Sequence, residues 1–388
     1  MKTPSKVLFL ARWYPDRYDP MMGLFIQRHA EAAAEFTDVA VLYLRAAPDR
    51  SFGIQIEQKE IRGVYTLIAY YGTRGNFPPF ISKLLASILF VFSFFKGYNV
   101  LRGSWGQPDL VHLNVLTRLG IFALWLQKMN DIPYVITEHW SRYLPITGTY
   151  SGFFRKMLTK YVVSNAKAVS TVSENLADAM KEHGLLNRNY LVLPNVVDTD
   201  SYKPLSPVKE SGIKRFIHIS CFEDRSKNIS GLLHVIGKLS NSRTDFECIM
   251  VGDGIDFVRM KALADVLGLK EPQLRFTGLL ENEKLIEAYQ SSDFMVMFSN
   301  YENMPVVISE SFSCGIPVVA TSVGGIPEYV SDVNGRLVAA GDEIALSEAI
   351  SYMLNHSDDF DRVKIRQEAI ATFGRSAVAD KLKELYCC

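Results

Sequence analysis

The 388-residue chain carries 42 Lys and Arg against 42 Asp and Glu, and is 48% apolar and 22% charged. That profile excludes a disordered or membrane-embedded chain, and the length exceeds one ordinary core, so two domains are expected. The balance is uneven: residues 1–205 hold 23 basic and 16 acidic side chains, the remainder 19 and 26. A basic first half suits an anionic surface or acceptor, and chance explains the split equally well.

The first apolar run, Lys6–Ala11, reads as a buried strand. It is too short for a signal peptide and is broken by Arg12. Trp13-Tyr14-Pro15 and Pro20-Met21-Met22-Gly23 then lead into a helix over 23–36. A glycine at such a strand-to-helix turn lets the backbone approach a ligand, and also simply makes turns. Further strands are expected at 39–44, 110–113, 134–137, Ala168–Thr171 and 190–193, with a helix over 174–183 capped by Ser173.

The uncharged run 84–95 lies between Lys83 and Lys96. Twelve helical residues rise about 18 Å, short of a bilayer core of about 30 Å. The favoured reading is a buried helix covering a parallel sheet; the alternative is a helix lying in a membrane interface, flanked by Lys83, Lys96 and Arg102.

A Pro-, Asp- and Ser-rich linker at 194–207 separates a second series of strands, at 215–220, Phe246–Val251, 274–277, 294–298 and 317–320. Helices fall between them, notably over 256–267 and 283–291. The expectation is α/β throughout: two Rossmann-like, doubly wound parallel-sheet domains facing across a cleft, with ligands at the carboxyl ends of the strands. The first domain would span 1–205 and the second 206–365, with a C-terminal helix near 366–388 packing back onto the first. Cys221, Cys248, Cys314, Cys387 and Cys388 show neither zinc spacing nor a disulfide framework, which fits a reducing compartment. A terminal Cys pair also invites lipidation, but a tail without a role is the simpler reading.

Residues 299–328 carry the most chemistry. Glu302 lies on the loop after a strand, Pro305 opens a helix, and Glu310 lies inside that helix among Val307, Ile308, Phe312 and Ile316. Carboxylates accept hydrogen bonds from sugar hydroxyls, and helix N-termini accept anions. A solvated surface acid is the ordinary reading of a lone glutamate, but an unpaired charge at Glu310 would be costly. The pattern suits a nucleotide sugar.

Glu302-x7-Glu310, Gly315-x-Pro317-Val318-Val319-Ala320-Thr321 and Gly324-Gly325-x-x-Glu328 closely resemble family 4 of the retaining GT-B glycosyltransferases. Pro194-Asn195-Val196-Val197-Asp198, Val251-Gly252-Asp253-Gly254, Gly278-Leu279 and Asn334-Gly335 fall where that family has its other signatures. The resemblance implies that Glu310 binds the nucleotide ribose and that Glu302 orients the donor sugar with the N–H groups of Asn303 and Met304. It implies that Lys227 holds the diphosphate, that His139 contacts the donor sugar, and that the loop at Gly23 lies beside the phosphates. Two departures stand out: Asn303-Met304-Pro305 replaces Gly-Phe-Gly, and Phe222 occupies the position of the usual arginine. Arg225 would have to substitute, or is a solvated loop charge. Arg12 is a surface charge or an assistant in the first loop, and His112 is read as structural.

The implied activity is retaining transfer of a hexosyl unit from a nucleotide diphosphate sugar to an acceptor hydroxyl, in surface polysaccharide or lipid-linked glycan synthesis. No covalent nucleophile, no metal and no further cofactor is expected; Asp198-Thr199-Asp200 is read as part of the linker rather than a metal site. Expected partners are the nucleotide sugar, a glycan or lipid-linked acceptor and the inner membrane surface peripherally, not nucleic acid. The expected location is the cytoplasm. A nucleotide-sugar epimerase of the same architecture and a non-catalytic nucleotide-sugar binder are the rival readings. No Gly-x-Gly-x-x-Gly follows either first strand, which disfavours a dinucleotide enzyme.

Overall fold

The computed structural model describes residues 3–74, 78–116, 118–205 and 212–388. Residues 206 and 207 of the expected linker lie outside the described residues. The chain forms two units, one of residues 1–172, 177–196 and 378–388, the other of 173–176 and 197–377. The division falls between Val196 and Val197 rather than at 205.

In the first unit β1 (Lys6–Ala11), α1 (Leu24–Ala33), β2 (Asp38–Ser51), β3 (Ile54–Ile61), β4 (Val64–Arg74), α2 (Pro79–Ser104), β5 (Leu110–Asn114), α3 (Leu119–Asn130), β6 (Tyr134–Glu138), α4 (Phe153–Asn165), β7 (Ala168–Thr171), α5 (Glu174–Glu182) and β8 (Tyr190–Val192) follow one another. Their eight strands lie in the order β3-β4-β2-β1-β5-β6-β7-β8, parallel except for the antiparallel β3–β4 hairpin. Val7, Leu8, Phe9 and Leu10 are fully buried, as an apolar run needs when helices cover both faces of a parallel sheet.

The hairpin adds strands where the sequence reading placed none. Its turn, Arg62-Gly63, has positive φ at both residues, 47° and 79°, which matches the twist of a two-residue hairpin.

A second correction concerns α2, which at 26 residues is far longer than the uncharged run. The Pro79–Lys83 and Lys96–Ser104 flanks continue it, so the helix is long and apolar enough to cross a membrane by length and composition. It nevertheless packs on the sheet: Phe94, Tyr98 and Leu101 are buried, and a Cβ on Gly97 would lie 2.8 Å from Leu42.

The second unit contains β9 (Lys214–Ile219), α6 (Asp224–Lys227), α7 (Ile229–Ser240), β10 (Phe246–Val251), α8 (Phe257–Val266), β11 (Leu274–Gly278), α9 (Asn282–Gln290), β12 (Phe294–Met297), α10 (Val306–Ser313), β13 (Val318–Thr321), β14 (Gly335–Val338), α11 (Glu343–His356) and α12 (Arg362–Phe373). Its six parallel strands run β11-β10-β9-β12-β13-β14.

The last helix, α13 (Arg375–Cys387), returns to the first unit, burying Val378, Leu382, Leu385 and Tyr386 in the core that holds Phe9. The return begins only at Val378, so residues 366–377 stay with the second unit, against expectation. Arg366 explains this: its guanidinium donates to the carbonyls of Thr199 at 2.9 Å, Tyr202 at 2.8 Å and Ser313, fastening α12 there.

Candidate active site

In the second unit the carboxyl ends of β9 and β12 carry the charged pair. Ser299 and the 300–305 loop follow β12, and α6 ends at Lys227. Lys227 Nζ lies 2.5 Å from Glu302 Oε1, with the side chains only 16% and 10% exposed. The same oxygen accepts from Ser299 Oγ at 2.8 Å. Burial pulls the Lys227 ammonium down, but the Glu302 carboxylate outweighs it, and the pKa ends above its ordinary value.

The loop is strapped on both sides. Asn300 N donates to the Ser226 carbonyl at 2.8 Å and Asn300 Nδ2 to that of Arg225 at 3.1 Å, tying it to α6. Thr321 Oγ1 donates to the Ser299 carbonyl at 2.7 Å, tying it to β13. The Gly-Gly turn supplies the third hold. Gly324 has φ +56°, and a Cβ there would lie 1.8 Å from the Glu302 carbonyl oxygen. Gly325 N donates to the Asn303 carbonyl at 2.7 Å. These glycines are therefore required by contact with the carboxylate loop itself. Met304 is buried and Asn303 half-buried in that loop.

Glu310 sits within α10, buried, where its Oε2 accepts from Tyr289 Oη of α9 at 3.2 Å. Burial and then the Glu310 carboxylate push the Tyr289 phenol well above its usual range, so it stays a donor.

Phe222 is fully buried between Phe257, at 5.1 Å between ring centroids, and Phe276, at 6.2 Å. The position where the resemblance expects an arginine is thus an aromatic core position. Arg225 is exposed on α6. His218, on β9, is buried with Nδ1 3.0 Å from the Val296 carbonyl and Nε2 2.8 Å from Ser220 Oγ. Burial pushes it down to about 4, so it is neutral.

In the first unit the loops after β1 and β6 meet. Trp13 packs edge-on against Trp140 at 5.2 Å and against Phe25 at 6.3 Å, and His139 lies 4.7 Å from Phe25 and 5.4 Å from His29. Gly23 has φ +67°, and its Cβ would lie 2.4 Å from the Trp13 backbone carbon. The close approach this glycine permits is made to the Trp13 backbone. Glu138, fully buried, holds the loop: Oε1 accepts from the N–H of His139 at 2.9 Å and of Trp140 at 2.8 Å, and Oε2 from that of Leu116 at 2.8 Å. Burial lifts its pKa to about 7 against those three bonds. Burial holds the His139 imidazole well below its usual range, helped by His29 and His112. Arg12 is half-buried, not a surface charge, and burial followed by the Arg118 charge lowers its pKa.

His112 is structural, with Nδ1 2.9 Å from Tyr386 Oη and Nε2 2.6 Å from Thr137 Oγ1. Asp198 folds back on its own turn, accepting from Ser201 N at 3.2 Å and Ser201 Oγ at 2.9 Å. Among the described residues no three His, Cys, Asp or Glu side chains group to hold a metal ion.

The structure thus brings Glu302, Lys227, Asn303, Met304 and the carbonyl of Arg225 together around one loop, places Glu310 on the following helix, and puts His139 and Gly23 together in the first unit. Sequence reasoning missed Ser299, Tyr289 and Glu138. For Ser299 and Glu138 the available signal was a polar residue at the carboxyl end of a strand beside a candidate group; for Tyr289 there was none, because α9 meets α10 only in three dimensions.

Residues 207–371 match the family profile of Glycosyl transferases group 1 and residues 25–201 that of Glycosyltransferase Family 4. The chain belongs to the family 4 glycosyltransferases. N-acetyl-alpha-D-glucosaminyl L-malate synthase from Bacillus anthracis is 27% identical over 260 residues, covering 64% of this chain and 66%, just under two thirds, of that protein. The GT-B fold is shared with sucrose-phosphate synthase from Thermosynechococcus elongatus, at a TM-score of 0.76 and 19% identity over 99% of this chain and 98% of the other. Anabaena HepE, solved in complex with UDP-glucose, superimposes with a TM-score of 0.71 and 18% identity over 98% of both chains.

Proposed function

We propose that this family 4 glycosyltransferase moves a hexosyl unit from a nucleotide diphosphate sugar to a hydroxyl of a glycan or lipid-linked acceptor, with retention at the anomeric carbon, in the cytoplasm. One observation carries the reading: a lysine and a glutamate, both largely buried, meet on the carboxyl edge of a parallel sheet on a loop held by three separate straps. Desolvating such a pair offsets most of its Coulombic gain, so net stability is a poor reason for it and a use for its charges a better one. Lys227 would neutralise the diphosphate as the glycosidic bond breaks, and Glu302 would accept hydrogen bonds from donor sugar hydroxyls. Glu310 is assigned to the ribose. The UDP-glucose bound to HepE supports the donor class.

Bond-making and bond-breaking occur on the same face of the sugar. The leaving phosphate oxygen takes the acceptor proton, so neither glutamate need attack. Lys227 supplies the positive charge at the phosphates, and no metal is assigned. His139, on the first unit, is proposed as a donor-sugar contact, and Trp13, Phe25 and Trp140 as an apolar shelf for the acceptor. The loop of Asn303, Met304 and Pro305 is assigned to sugar selection, and Arg225 to the outer phosphate edge.

The test is a panel of UDP-, GDP- and ADP-hexoses, with an added acceptor and excess chelator, followed by NMR of the anomeric centre. Retained configuration in a product formed without divalent cation is the expected outcome. Inverted product, strict dependence on Mg²⁺, or isomerisation of the donor without acceptor would each refute part of the assignment.

A further inference from the structure

The first unit has a helical face that its own fold leaves uncovered. Helices α2, α3 and α4 link successive strands from β4 to β7 and lie side by side. Phe94 of α2 stacks on Phe122 of α3 at 3.8 Å, and Lys128 of α3 donates to Tyr161 Oη of α4 at 2.8 Å. Each helix begins at the carboxyl edge of the sheet. There the first turns expose large apolar side chains: Phe80 is 77% exposed on α2, and Phe153 and Phe154 are 76% and 78% exposed on α4. Leu84 and Met157, one turn further along, are also more than half exposed. Exposed aromatic side chains in the first turns of the two helices that flank α3, with Phe153 and Phe154 in contact at 5.6 Å between ring centroids, are more than the scatter of single exposed apolar residues that a surface ordinarily carries.

The stretch of sequence that builds this face is basic. Between Glu60 and Glu174 the sequence holds twelve Lys and Arg against three acids, in a chain that is balanced overall at 42 against 42. Of the three, Glu138 is fully buried, and Asp109 Oδ2 is used by Ser5 and the Lys6 N–H. Arg155, Lys156 and Lys160 are exposed on α4 beside its phenylalanines, as is Lys83 on α2. Among the described residues none of these four lies within salt-bridge distance of a carboxylate. Exposed phenylalanines beside cations that have no carboxylate partner match an interface of acyl chains under anionic headgroups, where the rings enter and the cations stay at headgroup level. A protein partner would need acids placed one by one, whereas a lipid surface supplies a continuous negative field.

We propose that the α2–α4 face docks on an anionic phospholipid bilayer, with Phe153 and Phe154 entering the interface and Lys156 and Lys160 held by headgroup phosphates. The chain then lies on the membrane and does not span it, because the opposite side of α2 is committed to the sheet. Docking there would hold the first unit at the surface where a lipid-linked acceptor is displayed.

Co-sedimentation of the full chain with vesicles of phosphatidylglycerol and phosphatidylcholine, and of phosphatidylcholine alone, tests this. The expected result is binding to the anionic vesicles that falls by about tenfold or more on pure phosphatidylcholine and in high salt. Phe153→Ser with Phe154→Ser should weaken binding to anionic vesicles by about tenfold or more. Lys156→Glu with Lys160→Glu should do the same, while both variants keep wild-type unfolding temperature and nucleotide binding. Equal binding to neutral and anionic vesicles, binding unaffected by either variant, or no binding at all would overturn the proposal. So would a stable dimer by sedimentation velocity that the phenylalanine variant dissociates, since a second copy would then be what covers the face.

Discussion

Lys227 Nζ and Glu302 Oε1 meet at 2.5 Å on a loop edge where both side chains are largely buried, so each neutralises the other before any substrate arrives. The pair is therefore a folding element and a proposed catalytic element at once, and the two roles separate by mutation. Lys227→Ala leaves a buried carboxylate uncompensated and should cost roughly 3–5 kcal/mol, whereas removing both charges with Lys227→Met and Glu302→Gln should recover most of that. Both variants should be inactive in sugar transfer. Urea unfolding alongside a turnover assay checks this; a double variant as unstable as the single one would mean the pair acts through packing and not charge.

Gly324 should matter to turnover far more than its distance from any ionisable atom suggests. A Cβ there would collide with the Glu302 carbonyl at 1.8 Å, so Gly324→Ala must push the carboxylate loop outward. A displacement of this kind should cost about a hundredfold in kcat. Gly341→Ala is the matched control: its φ is +76° with nothing within 4 Å, so it carries backbone strain alone and should leave kcat unchanged. Equal loss in both variants would remove the loop from the argument.

Glu310→Ala should weaken nucleotide diphosphate binding by about 1.5–3 kcal/mol, the scale of hydrogen bonds to a charged acceptor. Tyr289→Phe should weaken it less, because it removes only the phenol that orients Glu310 Oε2 at 3.2 Å. Titration calorimetry with UDP, GDP and ADP reads both. Unchanged affinity in a folded Glu310→Ala protein would end its assignment to the ribose.

The parallel strands were legible because each is a short buried run between turn signals, and the family motifs were legible because they lie at sheet edges. The β3–β4 hairpin was equally present, as the alternating Ile54, Ile56 pattern and the Arg62-Gly63 turn, but an expectation of uninterrupted α/β alternation passed over it. The extent of α2 was obscured by its ends, since lysines on an exposed flank do not stop a helix whose other face packs on a sheet. At the candidate site the sequence order gave Glu302 and Glu310 their spacing but could not supply their partners. Ser299 and Lys227 converge on Glu302 only once β9 and β12 lie side by side. The glycines at 23 and 324 were recognisable as special, yet what each one makes room for is a backbone distant in sequence.

Acidification should destabilise the chain through its buried histidines. Burial holds His29 and His218 down to about 4, from an ordinary value near 6.5. Their folded-state pKa values are depressed, so the associated stability is fully present above pH 6.5. It is lost as pH falls toward 4, because the unfolded chain takes up protons that the folded chain refuses. Each full shift is worth at most about 3 kcal/mol. His218 shows why the proton is refused: its Nδ1–H donates to the Val296 carbonyl while Nε2 accepts from Ser220, so the neutral tautomer satisfies both partners. His218→Gln removes the titrating group while retaining an amide donor. It should lower stability at pH 7.5 yet lessen the fall between pH 6.5 and 4.5, measured as unfolding temperature. A variant whose fall over that window matches the wild type would show that other groups carry the acid sensitivity.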